Sequence, residues 1–171
     1  PNEALLYNIS GACFAGLGQL DNALKSYEKA LAIKPDYAEV HYNLGVTLQE
    51  LNQLDAAVKS YKQALAIKPD YAEVHNNLGN ALKDLGQLDA AVKSFEKALA
   101  IKPDYAEAHN SLGNALNNLT QLDAAVKSYE QALAINPDFA EAHNNLGVTL
   151  QALGQLDAAL VNYERALVLK P

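Results

Sequence analysis

Tryptophan and methionine are missing from this chain, and it has one cysteine, Cys13. A single thiol excludes an internal disulfide and fits a reducing compartment such as the cytoplasm. Long apolar runs are missing too, so no segment is expected to span a membrane. Half of the residues (50%) are nevertheless apolar, which speaks against disorder. Positive charge is in deficit: 13 Lys and Arg stand against 20 Asp and Glu, a net charge of −7. That balance disfavours nucleic acid and anionic membranes, which are gripped by clustered Lys and Arg. The chain opens on Pro1 without a charged-then-apolar leader, so no targeting signal is visible. Starting and ending on proline, it is expected to be a piece of something longer.

Proline is scarce, and its placement is regular. It stands at 1, 35, 69, 103, 137 and 171 and nowhere else, a period of 34. Residues 38–71 and 72–105 agree at roughly three quarters of their positions. Such self-similarity marks a repeat architecture, in which each unit buries its apolar side against a neighbour. Five units are expected, at about 4–37, 38–71, 72–105, 106–139 and 140–171, with no separate linker. They make a single array.

Each unit reads as two helices. Apolar residues recur at helical spacing in 38–51 and again in 54–67. Asp36 with Glu39 has the spacing of a capping box, as do the equivalents Asp70/Glu73, Asp104/Glu107 and Asp138/Glu141. Gly18, Asn52, Gly86 and Gly154 suit the left-handed residue that ends a helix. Thr120 holds the same place and is β-branched, so a local cost or a different turn is expected there. Gly11, Gly45, Gly79, Gly113 and Gly147 fall mid-helix, where glycine costs about 1 kcal/mol against alanine. A facing helix passing too close for a Cβ would explain them, with small residues such as Ala57 and Ala64 opposite. An aromatic residue (Tyr27, Tyr61, Phe95, Tyr129 or Tyr163) would fill the space beside them.

Leu44-Gly45, Ala57, Tyr61, Ala64 and Pro69 at these spacings resemble the tetratricopeptide repeat, and the pattern recurs in every unit. One departure is general: an early aromatic of the first helix is replaced by His41, His75, His109 and His143. The resemblance implies an all-α fold, a right-handed superhelical solenoid of ten helices in antiparallel pairs. First helices would line its concave side. Within the family, "AEAHNNLG" and "GQLDAA" are most similar to the repeats of O-linked N-acetylglucosamine transferases and of bacterial multidomain proteins, some with a sulfotransferase-like domain.

No residue set supports catalysis. The serines mostly follow the repeat, no Gly-rich phosphate loop joins a strand to a helix, and no cofactor is implied. The histidines stand one per unit on helices packed roughly 8–10 Å apart, too far for ligands that must each lie about 2 Å from one zinc ion. They are expected to pack between helices. Lys25, Lys59, Lys93 and Lys127 follow Asp21, Asp55, Asp89 and Asp123 by four residues and read as a solvated face.

The asparagines carry the functional expectation. On a helical wheel the polar side of the first helices collects Asn43, Asn76, Asn77, Asn80, Asn110, Asn114, Asn144 and Asn145, with Asn8, Asn117 and Asn118. Asparagine is about 0.6 kcal/mol worse than alanine in a helix interior. Its amide offers a donor and an acceptor, which match a peptide group. Asparagines one repeat apart could pair with successive backbone amides of an extended segment. The column Asn43, Asn77, Ser111, Asn145 matches the asparagine ladder of the glycosyltransferase repeats, whose peptide-binding role the resemblance carries to those asparagines; Ile9 and Ser111 interrupt it.

The expected function is a non-catalytic protein–protein interaction module. It would hold an extended peptide or protein segment, neutral or basic, because Lys83 is the only cation of the strip. Two alternatives stay open: a substrate-recruiting arm of a multidomain transferase whose catalytic domain lies elsewhere, and a structural, self-assembling spacer. The last helix shows Leu160, Tyr163 and Leu167 on a side with nothing following, so end-to-end association of chains is expected there.

Overall fold

A computed structural model describes residues 2–170. Among them are ten α-helices and no strand: α1 (Glu3–Gly16), α2 (Leu20–Ile33), α3 (Ala38–Glu50), α4 (Leu54–Ile67), α5 (Ala72–Asp84), α6 (Leu88–Ile101), α7 (Ala106–Asn118), α8 (Leu122–Ile135), α9 (Ala140–Ala152) and α10 (Leu156–Leu169). The helices group into two compact units, one ending at Gly86 and holding α1–α5, the other starting at Gln87 and holding α6–α10.

Both units are built alike. Antiparallel pairs α1/α2 and α3/α4 in the first, and α7/α8 and α9/α10 in the second, make the largest contacts. Each second helix also packs on the first helix that follows it. First helices touch one another, α1 with α3, α3 with α5, and α7 with α9; α2 and α4, or α8 and α10, do not. First helices therefore line the tighter, inner side of each unit.

The core follows from small residues beside one large one. In α4, Ala57, Tyr61 and Ala64 recur at helical spacing and are 0% exposed. Tyr27 and Tyr129 stand in the same surroundings in α2 and α8. The ring itself, rather than the alanines expected to face it, accounts for the mid-helix glycines. A Cβ at Gly45 would lie 2.5 Å from Cε1 of Tyr61, and Gly11 and Gly113 stand equally close to Tyr27 and Tyr129.

Helix ends follow one design. Gly18, Asn52, Gly86, Thr120 and Gly154 all adopt left-handed conformations, with φ between 57° and 76°. At Asn52 the backbone N–H donates to Gln49 O at 2.9 Å and that of Gln53 to Leu48 O at 2.8 Å, which is the Schellman arrangement. Thr120 makes the same turn, N–H to Asn117 O at 2.8 Å, so a β-branched residue is held in the glycine conformation and no alternative turn forms.

Two local expectations are corrected. Helix α3 is preceded by Tyr37 as its N-cap and no side chain caps it; the same holds for α5, α7 and α9. Asp36 thus stands one residue too early for a capping box with Glu39. The histidines bond to backbone rather than simply packing: the Nε2 of His41 and His75 lies 2.9 Å from the carbonyl oxygens of Pro35 and Pro69, and His109 and His143 repeat this on Pro103 and Pro137. The ring thereby ties the turn ahead of the helix to its first turn. The lysine stripe Lys25, Lys59, Lys93 and Lys127 is exposed, as a solvated face should be; among the described residues the ion pairs are Arg165 with Asp138 at 2.7 Å and Lys83 with Asp84 at 3.8 Å, and the four-apart Asp and Lys form none.

Candidate peptide-binding face

The asparagines sit on the inner faces, but they are not a free, wet strip. Asn8, Asn76 and Asn110 are only 5%, 5% and 4% exposed. Asn43, Asn77, Asn80, Asn114, Asn117 and Asn145 are half-buried, while Asn118 and Asn144 are exposed. An amide enclosed like Asn76 or Asn110 cannot reach a ligand directly.

Two adjacent columns explain the arrangement. One runs Asn8, Tyr42, Asn76, Asn110, Asn144; the next runs Ile9, Asn43, Asn77, Ser111, Asn145. Within each unit the second column reaches back to the first column of the preceding repeat. Asn43 Nδ2 donates to Asn8 Oδ1 at 3.0 Å, Asn77 Nδ2 to the Tyr42 hydroxyl oxygen at 3.2 Å, and Asn145 Nδ2 to Asn110 Oδ1 at 3.1 Å. These rungs join residues 35 apart in sequence, so each one crosses from one first helix to the next.

Further bonds surround the rungs. Asn145 Nδ2 also donates to Asn114 Oδ1 at 3.0 Å, which in turn accepts the Tyr129 hydroxyl at 2.8 Å. Asn110 Nδ2 donates to Glu141 Oε1 at 3.0 Å. Asn117 Nδ2 donates to Thr149 Oγ1 at 2.6 Å, and Thr149, fully enclosed, donates to Asn145 O at 2.9 Å. Tyr61 donates to Gln49 Oε1 at 2.9 Å. The core tyrosines thus bury their rings and send their polar ends to inner-face amides. Burial pushes the Tyr129 hydroxyl up to about 12 and the hydroxyls of Tyr27, Tyr42 and Tyr61 upward as well.

Sequence reasoning found the face but missed its partners Tyr42, Thr149, Tyr129 and Glu141. A signal existed for two of them. Tyr42 interrupts an otherwise asparagine column, and Thr47 and Thr149 are polar letters on an apolar face. The residues expected at the end of the array, Leu160, Tyr163 and Leu167, lie on α10; Leu160 is 58% and Leu167 67% exposed, and Tyr163 is half-buried with its hydroxyl on Gln151 Oε1 at 2.8 Å.

Comparison with known proteins decides the family. The pattern described as "TPR repeat" matches residues 14–52, 47–86, 79–119 and 119–154, and "Tetratricopeptide repeat" matches 140–171. The chain belongs to the tetratricopeptide-repeat family. Among solved structures, MamA matches at 26% identity and a TM-score of 0.88, over 99% of this chain and 92% of its own. YrrB, described as a TPR protein with an unusual peptide-binding site, matches at 24% identity and a TM-score of 0.81 over 99% of this chain and 88% of its own, which speaks to the fold alone. A curated relative, the peroxisomal targeting signal receptor of Kluyveromyces lactis, is 38% identical over 47 residues, or 28% of this chain. This TPR chain spans 8% of that receptor's length.

Proposed function

We propose that this chain is a protein-interaction module, without catalysis of its own, that holds an extended peptide or protein segment along the inner faces of its first helices. The observation that carries this reading is the state of the rung amides. A carboxamide has two N–H donors and two acceptor lone pairs. Asn43 uses one donor on Asn8, and Asn145 directs its NH2 group at Asn110 and Asn114, while no described residue donates to either Oδ1. Both residues are half-buried rather than enclosed. These two rungs therefore each fix an amide whose oxygen remains able to accept a backbone N–H. Fixing it in advance removes the side-chain ordering cost that binding otherwise carries, about 0.5–1.5 kcal/mol per side chain. The family supports the reading, and so does the local likeness to a receptor for a targeting signal. Neutral or basic segments fit a chain of charge −7 with Glu73 and Glu141 on its first helices.

One observation favours a second reading. The rungs by themselves give the asparagines a structural purpose, so a spacer whose amides only join repeats is the competing account. Selection from a random peptide library on the immobilised chain separates the two. The binding account expects neutral or basic binders that weaken severalfold on Asn80→Glu, a half-buried inner-face position, and do not respond to Lys59→Ala on the opposite face. A library that returns no binder, or binders indifferent to Asn80→Glu, favours the spacer.

A further inference from the structure

Tyr42 is the one aromatic residue in the two inner columns of the first helices. At its register the other repeats carry Asn8, Asn76, Asn110 and Asn144. Its ring is half-buried and held by three partners. The Tyr61 ring lies 6.3 Å away and the Tyr71 ring 5.4 Å away, tilted by 41° and 40°. Asn77 Nδ2 donates to the hydroxyl oxygen at 3.2 Å. Lys68 covers the neighbouring Tyr71 ring at 4.4 Å. All of these residues belong to the unit that ends at Gly86.

The rung at Tyr42 differs from those of Asn43 and Asn145. Asn77 Oδ1 accepts Asn76 Nδ2 at 3.4 Å, so this amide keeps less for a peptide N–H. The rung offers a fixed ring instead, and two carboxylates flank it. Glu39 stands three residues before Tyr42 on α3, and Glu73 four residues before Asn77 on α5, so each shares a helix face with its rung residue. Burial raises the Tyr42 and Tyr71 hydroxyls, and the charge of Glu73 raises both further. Glu39 does the same to Tyr71. Both carboxylates are thus close to the rings, yet among the described residues neither is in an ion pair. The second unit shows what the tyrosine removes. There Asn110, at the register of Tyr42, donates Nδ2 to Glu141 Oε1 at 3.0 Å. Tyr42 has no amide to give, and Glu73, at the register of Glu141, goes without that bond. A glutamate in the first turn of a helix is ordinary by itself, since the helix dipole favours it. A half-buried one beside fixed rings, lacking the donor its counterpart has, calls for a cation.

We infer that Tyr42, Glu73 and Glu39 form a subsite for an arginine side chain of the segment held along the inner face. A guanidinium stacks flat on a tyrosine ring and forks onto a carboxylate, which an ammonium cannot do. Asn43, next to Tyr42, reads the main chain of any segment; the corner beside it selects a side chain and so fixes the register. The assignment rests on the reading that a segment lies along that face.

The test uses the whole chain and two fluorescent peptides, Ser-Gly-Ser-Arg-Ser-Gly-Ser and the same peptide with citrulline, the neutral isostere, in place of arginine. Anisotropy reads both. The arginine peptide should bind about fivefold more tightly, the worth of a cation–π contact joined to a partly exposed ion pair. That preference should vanish on Tyr42→Asn, which installs the residue of the other repeats, and on Glu73→Gln. It should survive Glu96→Gln, which removes the same charge from an exposed site on α6. Circular dichroism checks the fold of each variant. No binding of the arginine peptide at millimolar concentration, equal binding of the two peptides, or a preference that survives both inner-face variants overturns the assignment. Equal binding that still weakens on Asn80→Glu leaves the inner-face reading standing without the corner. A preference that follows Tyr42 and Glu73, in peptides that ignore Asn80→Glu, supports the corner and counts against the extended-segment reading.

Discussion

Adjacent asparagines in α9 have opposite surroundings, and replacing each by alanine tests whether the rungs hold. Asn145 donates to Asn110 at 3.1 Å and to Asn114 at 3.0 Å. Asn144 is exposed and sits in no rung. Losing two hydrogen bonds costs about 1 kcal/mol each. It also leaves Asn110 Oδ1, in a side chain only 4% exposed, without its donor. Alanine returns about 0.6 kcal/mol of helix propensity. The net expectation for Asn145→Ala is a destabilisation of about 1.5–2.5 kcal/mol by that sum. For Asn144→Ala only the propensity gain applies, a stabilisation of about 0.5 kcal/mol. Urea unfolding followed by circular dichroism reads both. Stability in repeat proteins is partly local, so amide hydrogen exchange in α7 and α9 is the second readout, and faster exchange is expected only for Asn145→Ala. If the two variants agree within about 0.3 kcal/mol, below the worth of a single such bond, the rungs contribute nothing and the inner face has been misread.

Other outcomes follow from the same packing. Gly45→Ala and Gly113→Ala should each lower stability by about 1–3 kcal/mol, the usual cost of overpacking, despite alanine's better helix propensity; a Cβ would lie 2.5 Å from a ring carbon of Tyr61 or Tyr129, and thermal melts decide the sign. Thr120→Gly should stabilise by about 1 kcal/mol, because Thr120 holds φ at 59°; an unchanged melting temperature contradicts that. Alkali should unfold the chain. Burial raises the hydroxyls of Tyr27, Tyr42 and Tyr61 and places that of Tyr129 at about 12, against 10 in the unfolded chain. The folded state thus keeps protons the unfolded state releases, and stability present below pH 10 is lost as the pH rises toward 12. Tyr129 contributes a slope of about 1.4 kcal/mol per pH unit in that window, and the other three act in the same direction. A denaturation midpoint that stays flat from pH 9 to 11.5 refutes the assignment.

Much of the architecture was legible because a period of 34 repeats the same punctuation. The expected second helix 54–67 is α4 to the residue, and 38–51 overshoots α3 only by Leu51, which caps it. Left-handed ends were readable from Gly18 and Asn52 because few residues tolerate that conformation. Asp36 misled because the capping-box spacing is satisfied in sequence while the helix begins two residues after it, at Ala38, with Tyr37 between. The identity of what faces Gly45 was not legible either, since alanine and tyrosine share that face of α4 and only the packing angle chooses the ring. The candidate face was located by the wheel, yet the wheel describes one helix. The rungs join side chains 35 residues apart on neighbouring helices, and a cross-helix bond leaves no trace in the periodicity of either helix.

The central claim is that the inner-face amides accept the backbone N–H groups of an extended segment. Its most direct test takes a peptide selected on the chain and methylates its backbone nitrogens one at a time. N-methylation at alternate positions should weaken binding about tenfold, the worth of a hydrogen bond to a fixed acceptor, while alanine substitution of the peptide's side chains, an arginine at Tyr42 apart, changes it little. A peptide that binds as well with its nitrogens methylated, and fails when its side chains are cut back, contradicts the claim.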